Sequence, residues 1–156
     1  MTETSSFKDY LDKCIDKYYS HIITKYNFQI VDTYFNGLGA LYEFKCSSFK
    51  LKIVNDKGLV NGEIAPLYRS DTYKDIDAYN SLIQIKQNAN LESNKWEMKM
   101  ILTKTLSCQE EADFIDSKYQ VISELLSIDN YVSTLGEIDN LQRKRFDYLF
   151  NNKNGG

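Results

Sequence analysis

From Ala40 to Leu67 the chain reads ALYEFKCSSFKLKIVNDKGLVNGEIAPL, and apolar and charged residues alternate there with a period of two. That period belongs to half-buried strands, whose successive side chains point to opposite faces. Tyr42, Phe44 and Cys46 share one face, and Glu43 and Lys45 the other. Phe49, Leu51 and Ile53 share a face against Lys50 and Lys52. With Ser47-Ser48 as a two-residue hairpin loop, Cys46 pairs with Phe49, Phe44 with Leu51 and Tyr42 with Ile53. The same register sets Glu43 opposite Lys52. A slip by one residue would bury lysines, so the pattern selects this pairing.

Asn55-Asp56-Lys57-Gly58 supplies the next turn, with Asn suited to the first position of a type I turn and Gly to a left-handed residue. Pairing from that turn places Val60 beside Ile53, Gly62 beside Leu51 and Ile64 beside Phe49. Pro66 lacks the N–H of a ladder and ends this strand or places it at an edge. The second face of the sheet is mixed. Its far end is charged, with Glu43, Lys45, Lys50, Lys52 and Glu63; its near end is apolar, with Leu41, Val54 and Leu59 as cross-strand neighbours. Cover by a helix or loop of the same chain is the plainer explanation of the apolar end. The functional one is an exposed apolar patch with a charged rim, the make-up of a partner surface. Leu41, Glu43, Lys52, Val54, Leu59 and Glu63 are accordingly the candidate partner-binding residues.

The 156 residues are enough for one domain that buries a core without disulfides or metals. A net charge of −3 argues against a dedicated nucleic-acid binder and suits a basic partner. The 12 tyrosines fit interfaces, although amphipathic surfaces account for most of them. Cys14, Cys46 and Cys108 are odd in number and lack C-x-x-C spacing, which predicts reduced thiols. No apolar run reaches membrane-span length and no basic-then-apolar leader opens the sequence. The expectation is a cytoplasmic protein.

Along the chain, Met1–Ser5 reads as a loose end and Ser6 as the N-cap of a helix reaching about Thr24, with Phe7, Leu11, Cys14, Ile15, Tyr18, Ile22 and Ile23 on its apolar side. His21, the single histidine, falls on its surface. Residues 28–35 form a first strand whose adjacent Ile30 and Val31 call for a bulge or burial on both faces. Asn36-Gly37-Leu38-Gly39 is a turn rather than a phosphate loop, since no Lys-Ser/Thr pair follows. Ser70 or Asp71 caps a second helix ending near Asn88; residues 88–95 are a loop; 96–106 reads as helix, with strand-like alternation as the competing pattern. Ser107-Cys108-Gln109-Glu110 is a capping box that starts a helix through about Ser127. Residues 128–135 continue irregularly, Gly136 interrupts, and a last helix carries Ile138 to Phe150 with Arg143, Lys144 and Arg145 at the negative end of its dipole. Residues 151–156 are expected to be disordered. The fold class is α+β: a four-stranded antiparallel meander over about residues 27–67, packed with an N-terminal helix and several C-terminal helices.

Catalytic chemistry finds little purchase. Nucleophilic Ser, Cys or Thr usually draws on a histidine base, and the spacing pairs His21 with nothing. Glu110, Glu111 and Asp113 sit in first helical turns, where acids are favoured anyway. No zinc spacing, calcium loop, P-loop or dinucleotide fingerprint is present. The reading is a non-enzyme with no cofactor, no metal, and neither nucleic acid nor membrane as partner.

The order of helix, meander and helices, carried by LYEFKCSSFKLKIVNDKGLVNGEIAPL, resembles the immunity proteins encoded beside bacterial polymorphic or contact-dependent toxins. LLSIDNYV and LQRKRFDYLF are similar to the leucine-rich helices that close many such chains. The resemblance implies a protein that neutralises a cognate toxin by direct binding. No toxin-contacting residue carries over from it, and residues 96–106 match nothing in the pattern. The alternatives are a small adaptor or chaperone-like protein that takes a peptide along the open edge of the Leu59–Leu67 strand, and an enzyme using carboxylates in a cleft.

Overall fold

The computed structural model describes residues 3–69, 72–88, 90–91 and 94–151. An N-terminal rod comes first: α1 (Glu3–Cys14), a π-helical stretch π1 (Ile15–Tyr19) and α2 (Ser20–Lys25). The meander follows as β1 (Gln29–Asn36), β2 (Gly39–Lys45), β3 (Phe49–Asp56) and β4 (Leu59–Pro66), extended by a two-residue β5 (Lys74–Asp75). The remaining helices are α3 (Ile76–Gln87), α4 (Lys95–Thr103), α5 (Cys108–Leu125) and α6 (Tyr131–Phe146), with a terminal π turn π2 (Asp147–Asn151). The strands lie in sequence order in one antiparallel sheet, so the α+β class holds with one strand more than the alternation indicated.

The first hairpin has the register read from the sequence: Phe44 opposes Leu51, Tyr42 opposes Ile53 and Glu43 opposes Lys52. Cys46 N–H closes the loop on the Phe49 carbonyl at 3.1 Å. The second hairpin departs from the expectation by two residues. Val60 pairs with Asn55, Gly62 with Ile53 and Ile64 with Leu51. Its loop is Lys57-Gly58 alone, and both residues take positive φ, +53° and +98°. Such a tight turn matches the right-handed twist of the flanking strands, which a type I turn would splay. Asn55 is consequently a strand residue. Its buried side chain accepts from Gly58 N–H at 2.8 Å and donates to the Phe7 carbonyl at 3.0 Å, tying the hairpin to α1. Because the displacement is even, every side chain keeps its face.

Phe44, Phe49, Leu51, Ile53 and Ile64 form the floor of the core, as the alternation requires. Leu11, Tyr19 and Ile22 cover it from the rod, and α3, α5 and α6 close it with Tyr79, Ile115 and Ile138. The rod starts at Glu3, so Ser6 is interior to a helix and not its cap, and residues 3–5 are helical rather than loose. Its apolar phase also changes midway. A π turn accommodates one extra residue, and Tyr19, which the 3.6-residue period leaves off the core, is fully buried while Tyr18 is only partly so.

Strand β1 carries the bulge: the register jumps between Ile30 and Asp32, leaving Val31 unpaired. All eight β1 residues are exposed, which excludes burial on both faces. Helix α3 begins only at Ile76, after β5; the proposed caps Ser70 and Asp71 lie outside the described residues. Residues 95–103 are helical, and α6 runs through Gly136 without interruption, where an added Cβ would meet open space. The capping box at Ser107 and Glu110 forms in both directions. Of residues 151–156, expected to be disordered, Asn151 ends π2 and the rest lie outside the described residues.

Candidate protein-binding face

The face of the sheet turned away from the core is built from cross-strand rows. One row runs Tyr34, Leu41, Val54 and Asn61. Tyr34 is 58% exposed, while Leu41 and Val54 are partly exposed. The next row toward the hairpin tips is Asn36, Gly39, Asp56 and Leu59. Leu59 is therefore a diagonal neighbour of Val54, not its direct partner, because the β3–β4 hairpin is tighter than the four-residue turn implied. It stands 77% exposed, and Leu38 at the adjacent tip is 63% exposed. Lys57 N–H donates to the Leu38 carbonyl at 3.0 Å and holds the two tips together. Gly39 permits the approach, since a Cβ there would run into the Asn55 carbonyl. Tyr34, Leu38, Leu41 and Val54 line a shallow groove between the tips and the middle of the sheet.

The charged end of the same face is organised differently. Its row is Asp32, Glu43, Lys52, Glu63 and Asp75, one residue from each strand. Lys50 and Lys52 reach Glu43 and Glu63 at 3.7 and 3.6 Å. Tyr73, on the segment that returns from β4 to β5, donates its hydroxyl to Glu43 at 2.7 Å, and the Lys52 ammonium lies 4.3 Å from its ring centroid. Burial pushes the Tyr73 phenol well above its usual range, and the Glu43 acceptor adds to this. Burial also raises the Glu63 carboxyl, against the opposing pull of Lys52. The chain's own segment thus covers the charged end and leaves the apolar end open. Of the six candidate residues, Leu41 and Val54 adjoin in the open part, with Leu59 diagonal to Val54. Glu43, Lys52 and Glu63 form a paired, half-buried rim. Tyr34 and Leu38 belong to the open part and were not among the candidates, because strand pairing to β1 could not be registered across its bulge.

The two sheet edges are unequal. The β4 edge, expected to be free backbone, is occupied: β5 pairs with Glu63 and Ile64, Glu111 accepts the Gly62 N–H at 2.9 Å, and Cys108 Sγ lies 3.6 Å from the Val60 carbonyl as its donor. Among the described residues, the edge without a partner strand is β1. It is blunted by the bulge and by Asp32, whose carboxylate takes the Thr33 N–H at 2.8 Å.

Two polar clusters merit a chemical reading. Glu111, in the first turn of α5, is 2% exposed. It accepts from the Tyr19 hydroxyl at 2.5 Å and from Gly62 N–H. Burial holds its carboxyl up at about 8, with Asp77 and Asp75 adding and the two hydrogen bonds opposing. Fully buried and bonded to Tyr19 and Gly62, it joins rod, sheet and α5. The sequence offered only its helix-start position, and its burial follows from packing against β4. On the surface, Asp116 binds Lys25 and Tyr26 at 2.7 Å and His21 at 3.2 Å. Lys25, then Tyr26, hold Asp116 down at about 2. That cluster pins α2 and its C-cap to α5. Among the described residues no group of three or more His, Cys, Asp or Glu side chains is placed to hold a metal. The three cysteines are unpaired. No described helix is long and apolar enough to cross a membrane.

Comparisons of the chain with protein-family models, with characterised proteins and with solved structures gave no match.

Proposed function

We propose that the chain is a non-catalytic protein-binding module and, within that class, an immunity-like protein that neutralises a cognate toxin by direct binding. One observation carries the binding role: the Tyr34–Leu41–Val54 row with Leu38 and Leu59 beside it, apolar and open on a face whose charged half the chain covers itself. An apolar centre with a polar rim is the anatomy of a binding surface. Specific interfaces take roughly 800 Å² per partner, so a partner seated here would also cover the flanking hairpin tips that carry Leu38 and Leu59. The narrower immunity role is supported by the sequence resemblance in the meander and by the acidic charge.

The test is co-purification with the product of the neighbouring gene, and protection of cells that express that product. The proposal expects both, with binding lost in Tyr34→Asp and Val54→Asp. A folded chain that neither binds nor protects would count against it.

The adaptor reading placed a peptide on the Leu59–Leu67 strand, whose edge is occupied; moved to β1, strand addition has the edge of the sheet in its favour and the bulge with the Asp32–Thr33 bond against it. Amide exchange along β1, with and without candidate peptides, separates the two. Selective slowing at β1 supports the adaptor, and unchanged rates there leave the face.

A further inference from the structure

Helix α4 has two apolar stripes where a surface helix needs one. Met98 and Leu102 pack on the core. Trp96 and Met100, one turn apart, stand on the solvent side, and Trp96 is 70% exposed. The end of the chain repeats the pattern. Phe146, Leu149 and Phe150 are each about half exposed, and the two Phe rings sit 4.8 Å apart in open solvent. The two segments lie side by side: α4 packs against α6 and its terminal π turn. Arg145 Nη1 fastens them by donating to the Leu102 and Lys104 carbonyls at 3.3 Å.

The charge at this end is opposite to that of the chain. Residues 95–104 and 143–151 hold six Lys or Arg against two carboxylates, in a protein of net charge −3. Lys95, Lys99, Arg143 and Lys144 are exposed and interleave the apolar residues. Cations on long stems around Trp, Phe, Leu and Met are the make-up of a segment that rests in the headgroup layer. Nucleic acid would use the aromatic rings for stacking but would gain little from Met100 and Leu149. An anionic bilayer uses both the cations and the aliphatic groups, and it requires no spanning helix.

We infer that the α4–α6 end is a peripheral docking surface for anionic lipid bilayers, independent of the sheet face assigned to a protein partner. Trp96 enters the interfacial layer with Phe146 and Phe150, and the four cations meet lipid headgroups. Seating there leaves the Tyr34–Leu41–Val54 row to its own partner.

Trp96 is the single tryptophan, so its fluorescence reports the contact directly. The full chain is titrated with vesicles of phosphatidylcholine alone and of phosphatidylcholine mixed with phosphatidylserine, some carrying brominated acyl chains. A blue shift and bromine quenching with the anionic vesicles only, reversed by salt, is the expected result. Lys99→Ala weakens that binding about fivefold, the worth of one cation at an anionic surface. Phe146→Ser with Phe150→Ser abolishes the blue shift while the far-ultraviolet circular dichroism is unchanged. Because these positions are exposed, Lys99→Ala and Arg143→Ala keep the test alive should the double Phe variant fail to fold. Absence of binding to either vesicle, or equal binding to both, overturns the proposal. So does a Trp96 that vesicles leave unshifted but a protein partner protects. None of these outcomes bears on co-purification through the sheet face.

Discussion

Glu111 is one of the points at which pH enters this fold. Its carboxyl is buried near Tyr19, the Gly62 amide and Ile76, and its hydrogen-bond partners among the described residues, Tyr19 and Gly62, carry no positive charge. Burial lifts it from an ordinary 4.5 to about 8. A carboxyl raised in the folded state is neutral where the unfolded chain is already ionised, so the folded state binds the extra proton. Stability from this group is complete below the unfolded value of about 4.5 and declines as pH rises, until both states are ionised above about 8. At 1.36 kcal/mol per pH unit, the span amounts to up to about 5 kcal/mol. Glu111→Gln keeps an oxygen to accept from Tyr19 and Gly62 and cannot ionise. Equilibrium urea unfolding at closely spaced pH values should give similar stabilities for the two proteins near pH 5. Near pH 9 the variant should lead by several kcal/mol, or roughly 10 °C in Tm for a chain of this size. A uniform offset from imperfect amide packing would displace the two curves without changing the gap's growth with pH. Parallel curves across the whole range, or a wild type that gains on the variant as pH rises, would refute the reasoning.

Other substitutions probe other joints. Gly62→Ala would set a Cβ 2.6 Å from Ile76 Cδ1 and 3.3 Å from Glu111 Oε1, and should cost about 1–3 kcal/mol; Ile76→Val removes that methyl, so the double variant should lose less than the sum of the singles in denaturant melts. Gly58→Ala asks alanine to take φ +98° in the second hairpin and should cost about 1–2 kcal/mol by thermal melting, whereas Gly136→Ala, in an open helical position, should be neutral or stabilising. Asn55→Ala leaves the Phe7 carbonyl and the Gly58 amide without their partner and should lower stability by about 2 kcal/mol, with faster amide exchange at the β3–β4 tip.

Much of the sheet was legible because its signal is local. The period of two, with lysines that could not be buried, fixed which side of β2 and β3 faces the core and set the first hairpin in register. The second hairpin was misplaced by two residues because N-D-K-G supports a four-residue turn as well as a two-residue one. The choice rests on Asn55 being drawn into the interior by Phe7, forty-eight positions away in sequence. Tyr19 was missed because a π turn leaves the 3.6-residue period without a composition signature. Strand β5 is only Lys74 and Asp75, too short for any periodic pattern, yet it closes the edge that an adaptor reading needed. Of the candidate face, the apolar residues of β2–β4 were readable from alternation. That Tyr73 covers Glu43 and Lys52 depends on chain return, which a strand pattern does not encode; the broken alternation at Ile30–Val31 signals a bulge but not the register beyond it, which places Tyr34 and Leu38 in the open part.

The central claim is that the open apolar half of the sheet binds a protein. Its most direct measurement is the affinity of the purified chain for the product of the adjacent gene, for wild type, Tyr34→Asp, Val54→Asp and a Lys86→Ala control on the exposed side of α3. The account predicts a specific complex, weakened about a hundredfold or more by either Asp substitution, the loss of one central anchor of about 3 kcal/mol, and untouched by the control. A complex that all four proteins form equally well would contradict it.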